Sequence, residues 1–438
     1  MRQSLLVLSV LYILLSSAHL WAQEAEGIEV NVTPGQVTRI VIAVPPAINT
    51  GEQPDTIGAS ERILTTLQKS LTLSGYFDLL ERELYPQDPE AEGMTPNYVG
   101  WFNSGSQGLI KVGFALEGEK VRVVLRLFDI DEKKPIALRD GVDQPVLLER
   151  KPQVIQAHVF RFVNRVIEFY TGAPGFFGSR VAAVRRSKRG KSIVLLPTDG
   201  GSYTTVAKTG RINILPSLKA GRIYFTSYRD GGPFLYRYDS GKVKRISNRK
   251  GINVNGELSP DGRFLATTLS HQGSSEIYLL EPNHGKILRR LTRNKSIDIS
   301  PTWSPDGRKI AFVSDREGSP QIWVMNVDGS GAKRVTFVGQ YNQSPSWSPK
   351  GDTIAFTGRD ENFVFDIFTI NPNDPSQLRR LTQNQGNNED PSFSPDGRHV
   401  AFSSSRTGRA EIFIMTADGF TQRQLSSGGG FTSPSWGQ

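Results

Sequence analysis

The chain has 438 residues, of which 37% are hydrophobic and 22% charged, and it carries a net charge of +9 with 43 Gly and 26 Pro. At roughly 150 residues per domain this is material for two or three cores, and the turn-former content suits a loop-rich globular protein rather than a repetitive or disordered one. There is no cysteine, which excludes disulfides, thiolate metal sites, iron–sulfur clusters, cysteine nucleophiles and lipidation of an N-terminal Cys.

The first segment reads as an address. Arg2 gives a short positive region, Leu5 to Leu15 an apolar run too short to span a bilayer comfortably, and small residues follow. Residues 1–22 are therefore expected to be a cleaved signal peptide ending at Ala22. Ala18, with Ser16 at its −3 position, is the alternative cleavage site. No later stretch has the length and apolarity of a membrane span, so a soluble, exported chain is expected, and a periplasm suits it.

Residues 23–172 are expected to form a small α/β domain. In its leading segment Ile28, Val30 and Val32 alternate with Glu29, Asn31 and Thr33. That is a strand pattern set off by Pro34-Gly35, loosely held and able to be donated to an exposed sheet edge of another protein. Arg39 to Val44, Leu109 to Phe114 and Val121 to Asp129 read as further strands. Ile63, Leu67 and Leu71 share one face of a helix that Gly75 can end, and Ile155, Val159, Phe162, Val166 and Tyr170 line a second, longer helix. Thr171-Gly172-Ala173-Pro174-Gly175 is the hinge into residues 173–438.

Beyond the hinge the sequence becomes periodic. Ser-Pro-x-Trp-Ser-Pro-Asp-Gly, complete at Ser300 to Gly307, recurs with variations, and the glycines at 262, 307, 351 and 397 are 45, 44 and 46 residues apart. Within a unit four short strands are expected, for example around Trp303, Lys309 to Ser314, Gln321 to Asn326 and Lys333 to Phe337. Ser-Pro-Asp-Gly supplies the turn between the first two, which makes Asp306 and Asp396 turn residues rather than acids. A four-stranded meander with two apolar faces must be packed on both sides, as in a propeller. The first unit, from Arg180 to Lys208, lacks its leading strand, and Ser433-Pro434-Ser435-Trp436 supplies one at the far end of the chain. The expected fold is thus an α+β chain: a small α/β domain followed by a six-bladed β-propeller closed by a C-terminal strand.

No Gly-x-Ser-x-Gly elbow, Walker loop or His-Glu-x-x-His occurs. His158, His271, His284 and His399 are widely spaced, and His158 reads as a structural residue of its helix. No catalytic residue, metal site or cofactor is expected. Two recurrences point to binding instead. Asn213, Asn253, Asp298, Asn342 and Asn388 precede the inner strands, with Phe431 in the clasp strand, and are either turn residues or a polar ring at the channel mouth. Arg229, His271, Arg316, Arg359 and Arg406 follow the second strands, and each either bonds within its own blade or reaches a partner. As exposed partner contacts, Arg316, Arg359 and Asp298 should be replaceable by Ala with little effect on stability. The basic run Arg185-Arg186-Ser187-Lys188-Arg189-Gly190-Lys191 falls on a hairpin without interleaved aromatic residues. It reads as a solvated hairpin rather than a nucleic-acid site, with attraction to anionic outer-membrane lipid as the alternative.

The Ser-Pro-x-Trp-Ser-Pro-Asp-Gly repeat, the ending Arg379-Arg380-Leu381-Thr382, and the junction Thr171-Gly172 followed by Phe177-Gly178-Ser179-Arg180-Val181-Ala182, together with the exported α/β region, make the chain resemble the TolB family of the Tol-Pal envelope system. Lys219-Ala220-Gly221, a shortened turn in the second blade, and the proline-rich Val44-Pro45-Pro46-Ala47 depart from the family pattern. The resemblance implies a non-enzymatic, monomeric periplasmic adaptor between the peptidoglycan-associated lipoprotein (Pal), through which it meets the outer membrane, and an inner-membrane Tol protein (TolA). It also implies support of envelope integrity and of constriction at division, with the leading strand engaging the inner-membrane partner. Because peptidase-associated propellers share the Ser-Pro-Asp-Gly repeat, a secreted propeller binding peptide or glycan is the alternative.

Overall fold

The computed structural model describes residues 39–86, 88–207, 212–270 and 273–437. The signal segment, the leading strand Ile28 to Val32 and His271 lie outside them.

Seven strands form the first sheet: β1 (Ile40–Ala43), β2 (Ile48–Asn49), β3 (Phe77–Leu79), β4 (Gly108–Glu117), β5 (Lys120–Asp129), β6 (Lys134–Ile136) and β7 (Val146–Glu149). The order is β3-β1-β4-β5-β6, with β2 beside β4 and β7 beside β5. Helix α1 (Ala59–Ser74), short helix α2 (Tyr98–Asn103) and α3 (Pro152–Thr171) complete the region. The start of α1 is held from a distance: Asp55 accepts from the amides of Ala59 and Ser60, both at 2.9 Å. Burial raises its pKa, but these bonds and the Ser60 hydroxyl outweigh that and leave it below the usual value. Gly75, at φ 79°, ends α1 as its position in the sequence implies. The apolar stripes of α1 and α3, including Ile63, Leu67, Val159 and Phe162, pack on the inward side chains of β4 and β5. On the other face α2 inserts Trp101 against Leu109 and Phe128. Helix α2 and the short β6 and β7 have no periodic signature, and sequence reading does not find them.

The remaining strands form six four-stranded antiparallel sheets. The first contains Thr204–Ala207, Gly190–Pro197, Arg180–Ser187 and, as its innermost strand, Phe431–Gly437. Trp436 pairs with Val181 and Phe431 with Arg185, so the last strand closes the ring as the end register of the sequence implies. In the second blade Ala220 and Gly221 both adopt left-handed φ, giving the tight two-residue turn that the shortened sequence requires.

All six innermost strands break register at one place. The residue at the break is left-handed in each: Leu215, Asn255, Ser300, Ser344, Asp390 and Ser433, with φ between 49° and 55°. Five of them precede proline. The Pro of the recurrent Ser-Pro therefore marks a bulge that turns each strand along the channel wall. Just past it, side chains stitch neighbouring blades: Ser346 Oγ accepts from the Phe393 amide (3.2 Å), Ser392 Oγ from Trp436 (2.9 Å) and Ser435 Oγ from Leu218 (2.8 Å).

The α/β region and the propeller share a core. Phe176, Phe177 and Trp436 connect the α1 and α3 stripes to the blades on either side of the closure. Arg398 donates to Thr171 O (2.6 Å) and His399 Nε2 to Ser74 O (2.9 Å). The α/β region therefore occupies the side of the propeller that carries the Ser-Pro-Asp-Gly turns.

Candidate partner-binding face

Strand direction decides which loops share a face. Inner strands begin, and second strands end, on the side opposite the Ser-Pro-Asp-Gly turns, so the loops joining second to third strands surround one mouth of the channel. On the opposite side, toward the Ser-Pro-Asp-Gly turns, the channel holds a cavity of about 560 Å³ lined from the bulges to Pro260, Pro305, Pro349 and Pro395, with Glu257 and Asp390 among its lining residues. Asp390 accepts hydroxyl bonds from Ser344 (2.7 Å) and Ser433 (2.9 Å). One residue toward the mouth, burial and the neighbouring Asp390 push Glu389 up to about 7. Among the described residues no cluster of three or more His, Cys, Asp or Glu side chains could hold a metal ion.

The recurrent Asn and Asp positions do not project from this mouth. Asn213, Asn253, Asp298, Asn342 and Asn388 are all buried. Asn388 donates to Asp366 Oδ1 (2.9 Å) and Asn342 to Gln321 Oε1 (2.7 Å), each reaching back to the third strand of the preceding blade. Asn253 accepts from Ser247 Oγ (2.6 Å) and donates to Arg249 O (2.7 Å). These bonds belong to a repeated lock in which a hydroxyl after the fourth strand accepts from a third-strand amide: Thr336 from Ile322, Thr382 from Ile367 and Ser426 from Ile412. The recurrence in sequence therefore reflects a recurring backbone need.

The arginines divide. Arg316 donates to both oxygens of Asp298 (2.9 and 3.0 Å) and lies 4.6 Å from the Trp323 ring. Arg406 donates to Asn388 Oδ1 (3.0 Å) and lies 4.4 Å from the Phe413 ring. Both bond within their own blades, and Asp298 is a buried partner of Arg316, so the expectation that its loss would leave stability unchanged is corrected. Arg229 is exposed beside Asp230. Arg359 lies between two rings, 5.4 Å from Tyr341 and 5.1 Å from Phe363.

Phe363 escaped the sequence reading because it occurs in one blade and belongs to no repeat. It is 73% exposed and held at φ 61°. Its loop is fixed by Asp360, which accepts from the amides of Asn362 and Val364 and pairs with Arg380 at 2.7 Å. An exposed aromatic in a left-handed conformation is uncommon.

The described histidines, His158, His284 and His399, do not assemble a catalytic group. His158 is buried in α3, and burial together with Arg161 lowers it to about 4. His284 is exposed and pairs with Glu281, and His399 is enclosed by Phe176, Tyr76 and Trp436.

Known proteins resemble the chain along most of its length. The profile of the TolB amino-terminal domain matches residues 28–136, and that of the TolB beta propeller domain residues 167–438. A Tol-Pal system protein TolB from Anaeromyxobacter dehalogenans (strain 2CP-C) is 38% identical over 400 residues, covering 87% of this chain and 88% of that protein. One from Desulfosudis oleivorans is 36% identical over 287 residues, or 64% of this chain and 62% of that protein. The crystal structure of TolB from Acinetobacter baumannii superposes with a TM-score of 0.77 over 91% of this chain and 97% of that one, at 24% identity, and so shares the fold.

Proposed function

Since the chain belongs to the TolB family and is a Tol-Pal system component, we propose that it is a non-catalytic periplasmic adaptor. In this reading it joins peptidoglycan-associated lipoprotein to TolA in the inner membrane, maintains envelope integrity and supports constriction at division. The reading takes residues 1–22 as a signal peptide, 23–172 as the α/β domain and 173–438 as the propeller, in a monomer. The observation that carries it is the asymmetry of the propeller: one side carries the α/β region, packed on the first and sixth blades, while the other presents Arg229, Arg359 and the exposed Phe363 on the loops that join second to third strands. Arg and aromatic side chains held rigid on such loops are the composition of a protein-binding hot spot. Arg316, Arg406, Asn253, Asp298, Asn342 and Asn388 position these loops.

The lipoprotein docks on the open face, and the leading strand with Ile28, Val30 and Val32 engages the inner-membrane protein by strand addition. Pull-down from an envelope extract tests the first half: recovery of the lipoprotein supports it, and retention of glycan in its place favours an accessory propeller. Deleting residues 23–33 tests the second. Binding to the inner-membrane partner should disappear while lipoprotein binding and propeller melting stay nearly unchanged. Undiminished binding by the truncated protein would refute the strand assignment.

A further inference from the structure

The open face is divided electrically. On the fourth and fifth blades most charges are paired, Arg316 with Asp298, Arg334 with Glu317 and Arg380 with Asp360, and Arg359 is offset by the exposed Glu361 two residues on. Across the sixth, first, second and third blades cations remain in excess, although Arg245 pairs with Asp230 and Arg290 with Glu276. Arg409, Arg186, Lys188, Arg189, Lys250 and Lys295 are exposed, and none pairs with a carboxylate among the described residues. The sector is continuous across the ring closure, because Arg409 lies against Gly429 while Arg185 and Arg186 flank Gly430. The Arg186 amide also donates to Gly430 O at 2.8 Å.

Beyond the docking role proposed above, on which this inference rests, we infer that the open face selects a protein partner whose contacting surface is acidic, drawn in by the unpaired cationic sector and anchored on Phe363. Unpaired like charges on stiff hairpins maintain a local potential that accelerates encounter with an oppositely charged surface and rejects one of the same sign. A membrane of anionic lipid would meet the same cations, but the rest of the face opposes it. Glu361 is exposed two residues from Phe363 and would be driven against the headgroups, and the aromatic ring is clamped by Arg359 rather than free to insert.

The test uses the full chain, a labelled deca-glutamate peptide, vesicles containing phosphatidylglycerol, and the soluble domain of the lipoprotein. Peptide binding should weaken at least about tenfold between about 50 and about 300 mM salt. It should weaken by a similar factor in K188E/R189E, and stay unchanged in K242E/K286E, which reverses exposed lysines on the other side of the propeller. Vesicles should not be retained. Equal loss in the two variants, or no salt dependence, overturns the inference. Vesicle retention that K188E/R189E abolishes overturns it in favour of lipid. Lipoprotein association should slow about tenfold in K188E/R189E. A lipoprotein that fails to bind wild type while the peptide binds removes the docking role and leaves the acidic selectivity standing, whereas lipoprotein binding indifferent to both salt and reversal does the opposite.

Discussion

At the scale of single residues, burial decides what a recurrent polar position does. Asp298→Ala removes the acceptor of Arg316 and Asn294 inside the fold and should cost about 3–5 kcal/mol in denaturant unfolding, as breaking a buried pair does. Arg359→Ala loses only stacking on Tyr341 and Phe363 and should stay within about 1 kcal/mol of wild type. Phe363→Gly relieves a left-handed side chain, so stability should hold or rise by up to about 1 kcal/mol while affinity for the partner falls. Loss of stability in that variant would show that the ring supports the fold. His158 and His399 are both lowered, in each case chiefly by burial. A depressed histidine pKa means that the unfolded chain binds more protons, so stability is present above the unfolded value near 6.5 and declines as pH falls below it. For His158 the loss accumulates down to about 4. Glu389 has the opposite sign: raised to about 7, it favours the folded state at low pH and less as pH rises through 7. Glu389→Gln should therefore stabilise the protein at pH 8, by thermal melting, and much less at pH 5.

The element scale explains what could be read in advance. The blades are legible because each repeats a backbone demand at a fixed spacing: a bulge before Pro, a Gly in the Ser-Pro-Asp-Gly turn, a hydroxyl after the fourth strand. The same repetition hides purpose. Arg406, bonded to Asn388 within its blade, and Arg229, exposed beside Asp230, recur alike in sequence, and only packing separates them. Phe363, occurring once, leaves no periodic trace, and α2 is too short to display one. The lock can be tested on its own. Thr382→Val leaves the Ile367 amide and Asp366 each one bond short and should cost about 1–3 kcal/mol, read by chemical denaturation.

At the largest scale, residues 39–437 hold together because the α/β region and the propeller share Phe176, Phe177, His399 and Trp436. Phe176→Ala opens this junction and should cost about 3–5 kcal/mol. The single calorimetric transition should separate into two, whereas a single shifted peak would place the cooperative unit elsewhere. The pairing of Phe431–Gly437 with Arg180–Ser187 also has a consequence in time. The chain is made from its amino end, so the first blade waits as three strands with an open inner edge while roughly 230 further residues are synthesised. Until Trp436 emerges, neither the ring nor the aromatic junction with the α/β region can form. Exported as proposed above, the chain would keep its last stabilising contacts in reserve until its final strand has been delivered.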